Sequence, residues 1–166
     1  MKKTTLLPVL CGIVLLVAGC KKSSNSPAAP NEPATSTQWT FDNTLYKGFP
    51  AQWSYDSTDM AGYLSTTDST DANELYITFL VSGPSVRPSP GKYYFVNSNG
   101  TNIPSGVQLN QICIMEVGPV TNEASSIGGT PSDTATVTFN ADNKMVVNFS
   151  NVTVTGGVKV SGTLVE

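Results

Sequence analysis

The sequence predicts an all-β fold: an antiparallel β-sandwich of about eight or nine strands, with a small β-barrel as the alternative. Three observations carry that expectation. Apolar and polar residues alternate through most of the segment 38–166, as in Leu75, Ile77, Phe79 and Val81, which is the period of a half-buried strand. Turn-forming clusters punctuate these runs: Asp68-Ser69-Thr70-Asp71-Ala72-Asn73, Pro88-Ser89-Pro90-Gly91, Ser98-Asn99-Gly100-Thr101-Asn102, Gly128-Gly129, Asn140-Ala141-Asp142-Asn143 and Thr155-Gly156-Gly157. Their glycines and asparagines take the left-handed backbone that tight turns need. No segment shows an amphipathic pattern of helical length. Many short strands in one domain have an apolar face to cover and two sheet edges to protect, which a sandwich or barrel does.

The chain opens with Met1-Lys2-Lys3, an apolar run from Leu6 to Val17, and Leu16-Val17-Ala18-Gly19-Cys20. A charged start, a short apolar core and small residues at the cut are the parts of an export signal, and the core is short for a permanent spanning helix. The run ending at Cys20 resembles the lipobox of bacterial lipoprotein signal peptides. That resemblance implies removal of residues 1–19 and lipidation of Cys20, with the membrane as a partner through the lipid. One acyl chain anchors only marginally, whereas two or more, at ~0.8 kcal/mol per buried CH₂, hold stably. An ordinary secretory signal that happens to contain a cysteine is the alternative.

Residues 20–37 read as the lipidated cysteine and a flexible linker. From Ser23 to Thr37 the chain is Ser, Pro, Ala, Asn, Thr and a single Glu, with nothing large and apolar to bury and three prolines that favour solvated, extended backbone. Such a spacer reaches up to ~45 Å when polyproline-like. Lys21 and Lys22 stand beside the anchor, where contact with anionic headgroups is worth ~1 kcal/mol each. The whole chain has nine Lys+Arg and twelve Asp+Glu. Loss of Lys2 and Lys3 leaves seven against twelve, a mature charge of −5. Nucleic acid is thereby an unsuitable partner, since phosphate-backbone binding needs clustered basic residues.

The single domain spans 38–166, about 130 residues, enough for its own core. Trp39 and Phe41 share parity on a first strand, and Trp53 and Tyr55 on a later one. Leu75 to Val81 form the next alternating run. Val107, Leu109, Cys113, Met115 and Val117 share parity beyond it, with Gln111 as an interruption. Val137 with Phe139, Met145 with Val147 and Phe149, and Val158 with Val160 and Leu164 complete the set. Thr136, Thr138, Asn148, Ser150, Lys159, Ser161 and Thr163 occupy the opposite parity, suited to a solvated face. Val146, Val152 and Val154 share it, so part of that face is expected to be covered.

Few residues suit chemistry. The chain has no histidine, which removes the usual general base, the usual catalytic zinc ligand and the Ser-His-Asp triad. Cys113 sits in an apolar strand-like run and reads as a buried thiol rather than a nucleophile. Glu74, Glu116, Glu123, Asp56 and Asp59 are the carboxylates available for glycoside hydrolysis, which needs two at a set separation. Asp68, Asp71, Asn73 and Glu74 offer oxygens for calcium, yet their spacing is not that of an EF-hand loop. No cofactor, no metal site and no enzymatic activity are expected. Exposed Trp and Tyr faces are what a sugar platform needs, which makes Trp39, Trp53 and Tyr55 candidate ligand-stacking residues, with core packing as the competing account.

The lipobox, Cys20-Lys21-Lys22 and the Ser/Pro/Asn linker together resemble the small lipoproteins of the Bacteroidota. Pro90-Gly91-Lys92-Tyr93-Tyr94-Phe95 and Val158-Lys159-Val160-Ser161-Gly162-Thr163-Leu164 are similar to strands of their uncharacterised β-sandwich families. The resemblance implies a lipid-anchored protein of the cell envelope at the outer membrane, on its periplasmic or its surface face. It also implies candidate O-glycosylation at Ser57, Ser69 and Thr134, each preceded by Asp; ordinary Asx-turn chemistry explains the same tripeptides. The expected role is non-enzymatic binding or structure in the envelope, with glycan a candidate ligand. A protein-interaction accessory of an outer-membrane complex and a carboxylate-based glycan-active enzyme are the alternatives.

Overall fold

The structure is a computed structural model and describes residues 36–97, 102–120 and 126–166. The signal segment 1–19, Cys20, the linker as far as residue 35 and Glu123 lie outside the described residues. Eleven strands run in chain order: β1 (Gln38–Phe41), β2 (Thr44–Lys47), β3 (Gln52–Asp56), β4 (Ala61–Thr67), β5 (Asn73–Leu80), β6 (Gly91–Phe95), β7 (Ile112–Pro119), β8 (Ser126–Gly128), β9 (Thr134–Phe139), β10 (Met145–Thr153) and β11 (Lys159–Val165). The all-β expectation holds. The strands form one hydrogen-bonded sheet, ordered β2-β1-β11-β10-β9-β6-β7-β5-β4-β3 with β8 also on β7, curled into a half-barrel.

Two features differ from an antiparallel set of eight or nine strands. Three-residue β8 and four-residue β1 and β2 raise the number to eleven. β6 and β7 also run parallel, with Tyr94 opposite Ile112 and Phe95 opposite Cys113, so the sheet is mixed. A hairpin cannot connect parallel neighbours, and here the chain returns through the long connection 96–111.

The two end strands, β2 and β3, are consecutive in the chain, and the connection between them crosses one rim of the curl. Ser69 N–H donates to Lys47 O at 2.8 Å and Phe49 N–H to Thr67 O at 3.0 Å, so the β2–β3 connection is laced to the end of β4. Gly48 sits at this closure. A Cβ there would stand 2.6 Å from the Trp39 ring and 2.8 Å from Thr66 Oγ1, so the position has room only for glycine. The rim's two buried threonines are paired: Thr37 Oγ1 donates to Val165 O and accepts from Val165 N–H, both at 3.0 Å, and Thr66 Oγ1 donates to Phe49 O at 2.8 Å.

Inward parity along every long strand fills one core, with Trp39, Leu64, Leu75, Ile77, Phe79, Phe95, Met115, Val137, Met145 and Leu164 among its enclosed side chains. Val152 and Val154 belong to this core, although unbroken alternation along β10 would turn them outward. Between Phe149, opposite Gly162, and Val152, opposite Val160, the register slips by one residue. Asn151 sits in the bulge at φ 56°, and its N–H donates to Ser161 Oγ at 2.8 Å. The extra residue reverses the parity of all that follows. Val146 is also buried, so the expected cover over part of the outer parity is present.

The run 107–117 is shorter as a strand than its alternation predicts. β7 begins at Ile112, after a 3-10 turn over Leu109–Gln111. Gln108 N–H bonds Gln111 Oε1 at 3.2 Å and Gln111 N–H bonds Gln108 O at 2.9 Å. This local closure outcompetes the ladder and leaves Leu109 62% exposed.

Candidate functional site

The best-formed candidate lies on the outer face of β3, β4, β5 and β7. On β5 the core takes Leu75, Ile77 and Phe79, so Glu74, Tyr76 and Thr78 point outward. Leu64 does the same for β4, turning out Tyr63, Ser65 and Thr67. Cross-strand register then sets Gln52, Ser65, Tyr76 and Glu116 in one transverse row, and Ser54, Tyr63, Thr78 and Ile114 in the next. Tyr63 and Tyr76 are thus diagonal neighbours, within reach of each other's ligands. A groove of about 330 Å³ runs beside Tyr76, lined also by Phe49, Gln52, Ser65, Thr67 and Asp71. Its volume is at the small end of ligand sites.

Charge is segregated around the curl. Strands β3, β4, β5 and β7 carry Asp56, Glu74 and Glu116 and no Lys or Arg, whereas β1, β2, β6, β9, β10 and β11 carry Lys47, Lys92 and Lys159 and no acid. The tyrosines feel this field. Tyr76 Oη donates to Glu74 Oε2 at 2.8 Å and Tyr63 Oη to Asp59 Oδ2 at 3.3 Å. Burial first, then these carboxylates and the charge of Glu116, push both phenols above their usual range. Both hydroxyls are therefore fixed as neutral donors, and the rings are oriented by what they bond.

At the groove's edge, Thr67 Oγ1 donates to Asp71 Oδ1 at 3.0 Å. The neighbouring loop is organised by Asp68, whose carboxylate accepts from Thr70 N–H and Oγ1, Ala72 N–H, Asn73 N–H and Asn73 Nδ2. Burial alone would raise this carboxyl, but the hydrogen bonds from Asn73, Ala72 and Thr70 outweigh it and hold it at about 2. The oxygens weighed for calcium are thus engaged elsewhere: Asp68 by its loop, Asp71 by Thr67 and Glu74 by Tyr76. No cluster of three or more metal-ligating acids, cysteines or histidines occurs among the described residues.

Of the candidate stacking residues, Trp39 is enclosed, whereas Trp53 and Tyr55 keep part of their surface exposed. Trp39 is 1% exposed and stacks on Tyr46 at 5.5 Å between centroids, so it has no face for a ligand. Trp53 and Tyr55 are half-buried and pack on the core, Trp53 against Phe79 at 6.3 Å. Both indole N–H groups are buried without an acceptor, a penalty of ~1–3 kcal/mol each that apolar burial of the rings offsets. Packing accounts for Trp39 fully and for the inward part of Trp53 and Tyr55. The outward ring is Tyr76, which the alternation of Leu75, Ile77 and Phe79 already points to solvent.

Ser57 and Ser69 are exposed in the β3–β4 and β4–β5 turns, while Thr134 is half-buried at the start of β9 opposite Tyr94. The preceding Asp56 and Asp68 each accept a backbone N–H two residues ahead, which is Asx-turn chemistry. Cys113 is 1% exposed, and burial pushes its thiol well above the usual range. Glu74 and Glu116 share the tyrosine face, and Asp56 and Asp59 lie near the β3–β4 turn. Two larger clefts, of about 440 and 450 Å³, open at the rims beside Pro50, Lys144 and Glu166 and beside Arg87, Pro88 and Tyr93. Arg87, from one cleft, and Glu166, from the other, bond each other through the two terminal guanidinium nitrogens, at 2.5 and 2.6 Å.

No helix among the described residues is long and apolar enough to cross a membrane. Comparison of the chain with models of protein families, with curated proteins and with solved structures finds no match.

Proposed function

We propose that this protein is a lipid-tethered, non-enzymatic binding domain of the cell envelope, and that its groove beside Tyr76 takes a neutral, hydroxyl-rich glycan. The tether reading rests on Leu16-Val17-Ala18-Gly19-Cys20 and the proline-bearing linker; it places the domain at the outer membrane, held by the lipid on Cys20. In shape we read the curled sheet as two walls closing on one core, a sandwich joined along its edges.

One observation carries the ligand class. Phe49, 47% exposed, and the outward ring of Tyr76 line the same small groove with the amide of Gln52 and the hydroxyls of Ser65 and Thr67. Apolar ring faces desolvate and stack on the C–H face of a sugar, while amide, hydroxyl and carboxylate groups bond its hydroxyls. The strands of this face bear acids and no bases, which disfavours anionic glycans through like-charge repulsion. The test is a glycan array probed with the full mature chain. Binding restricted to neutral glycans supports the reading, and binding to sulfated or uronate glycans alone opposes it.

A further inference from the structure

We infer that β3 is a self-recognition edge: two copies of this chain pair their β3 strands antiparallel about Ser54 and join their sheets into one. Among the described residues β3 pairs with β4 alone, and no other backbone bond reaches Gln52–Asp56. Its second edge is therefore a row of unpaired N–H and C=O groups, a template for another strand. Nothing on it guards against that: the five residues contain no lysine or proline and run in unbroken register. The opposite end strand is defended. β2 ends in Lys47, whose carbonyl accepts Ser69 N–H at 2.8 Å, and Gly48 beyond it bridges Asp68.

The residues of β3 name the partner. About a two-fold axis through Ser54, Gln52 stands opposite the second copy's Asp56 and Trp53 opposite its Tyr55, and each pair occurs twice. Residues opposite each other across a ladder share a face. On the outer face the Gln52 amide meets a carboxylate whose Oδ1 accepts Thr58 N–H at 2.7 Å, which leaves Oδ2 to accept from the amide. On the inner face Trp53 and Tyr55, both half-buried, form cross-strand aromatic pairs that cover the surface each leaves exposed. Like charges stay apart. The two Asp56 carboxylates lie at opposite ends of the ladder, ~14 Å apart, beyond the ~8 Å screening length at physiological salt. A one-residue slip sets inner side chains against outer ones, and a two-residue slip leaves Gln52 or Asp56 opposite a residue outside the strand.

Such a dimer closes. Each copy uses its free β3 edge, and the defended β2 edge adds no third copy. A ladder of this length is at the small end of protein interfaces, so the pairing is weak and set by local concentration. Because opposite residues share a face, the two Tyr76 grooves lie on one side of the joined sheet, which presents two sites to one extended ligand. That consequence rests on the glycan reading; the pairing itself does not.

Sedimentation equilibrium of the mature chain carrying Cys20→Ser, from ~10 µM to ~1 mM, tests the pairing with no sugar present. The expected result is a reversible monomer–dimer equilibrium without larger species. Ser54→Lys sets two ammonium groups face to face on the axis and should abolish the dimer while the melting transition is retained. Gln52→Glu should weaken the dimer about fivefold and Gln52→Lys strengthen it by a similar factor, since each change faces Asp56 twice. Ser54→Cys reports the axis itself. With Cys113 enclosed, mild oxidation should join two chains through the introduced thiols, each losing one proton and one electron to the added oxidant, whereas Thr138→Cys, exposed on β9, should stay unjoined. A monomer throughout the range, a dimer untouched by Ser54→Lys, open-ended growth, or joining at Thr138→Cys as fast as at Ser54→Cys would each overturn the proposal.

Discussion

The indole of Trp53 occupies the space a side chain on Gly62 would take: a Cβ on Gly62 would meet Cη2 of Trp53 at 2.1 Å and Cζ2 at 2.2 Å. The two residues sit on neighbouring strands, Trp53 opposite Leu64 and Gly62 opposite Tyr55, and together seal the β3 end of the core. A bulky ring on an end strand needs a glycine beneath it, and the absence of a side chain there is what draws Trp53 inward.

That relationship predicts strong coupling. Trp53→Ala should cost ~3 to 5 kcal/mol of stability. Gly62→Ala in the native background should cost ~1 to 3 kcal/mol through overpacking, and close to nothing in the Trp53→Ala background, where the methyl has room. Urea unfolding of the four proteins gives the cycle; additive costs would show that the ring does not rest on Gly62.

The Asp68 loop predicts an acid-sensitive contribution to stability. Its carboxyl is held at about 2 in the folded state against 3.8 when unconstrained. The depressed folded value means that the stabilisation is complete above 3.8 and is lost as pH falls toward 2. Asp68→Asn should cost ~1 to 2 kcal/mol at neutral pH, allowing for solvent screening at this rim. Its difference from the native protein should close between pH 4 and pH 2. A difference constant over that interval, in chemical denaturation, would contradict the assignment.

The bulge at Asn151 predicts a sharp contrast between two changes. Asn151→Gly keeps a left-handed residue at φ 56° and should alter stability by less than ~1 kcal/mol. Deleting Asn151 removes the register slip and turns Val152 and Val154 to solvent, and should abolish cooperative unfolding. Differential scanning calorimetry separates the outcomes.

Cys113 should resist maleimide in the native protein and react fully in urea, because the thiol is enclosed and held in its neutral form. Mass spectrometry before and after denaturation reads this. Rapid native labelling would show a path to the β7 interior.

Much of the architecture is legible in the sequence because a half-buried strand writes its faces at period two. Leu75, Ile77 and Phe79 read correctly as core, and their alternation leaves Tyr76 on the outward parity, although composition did not single it out. What escapes is decided by local bonding or by distance. Gln108 and Gln111 close a 3-10 turn that cuts short the alternation from Val107. The parallel pairing of β6 with β7 joins segments separated by residues 96–111, for which no local signal exists. Composition drew attention to Trp39, Trp53 and Tyr55 as a platform, but tryptophan's large apolar area makes it as suitable for a core. Only register brings Phe49, Gln52, Ser65, Thr67 and Tyr76 to one groove, since they come from three separate elements and their connections.

The central claim is that the Tyr76 groove binds neutral glycan. It is tested most directly by isothermal titration of the mature chain, its Tyr76→Ala variant and its Phe49→Ala variant with neutral hexasaccharides of glucose, xylose and mannose. The account predicts saturable heat with at least one of them and at least tenfold weaker binding, about 1.4 kcal/mol, in both variants with their melting transitions retained. Heat with none of the sugars, or affinity unchanged by Tyr76→Ala, would contradict it.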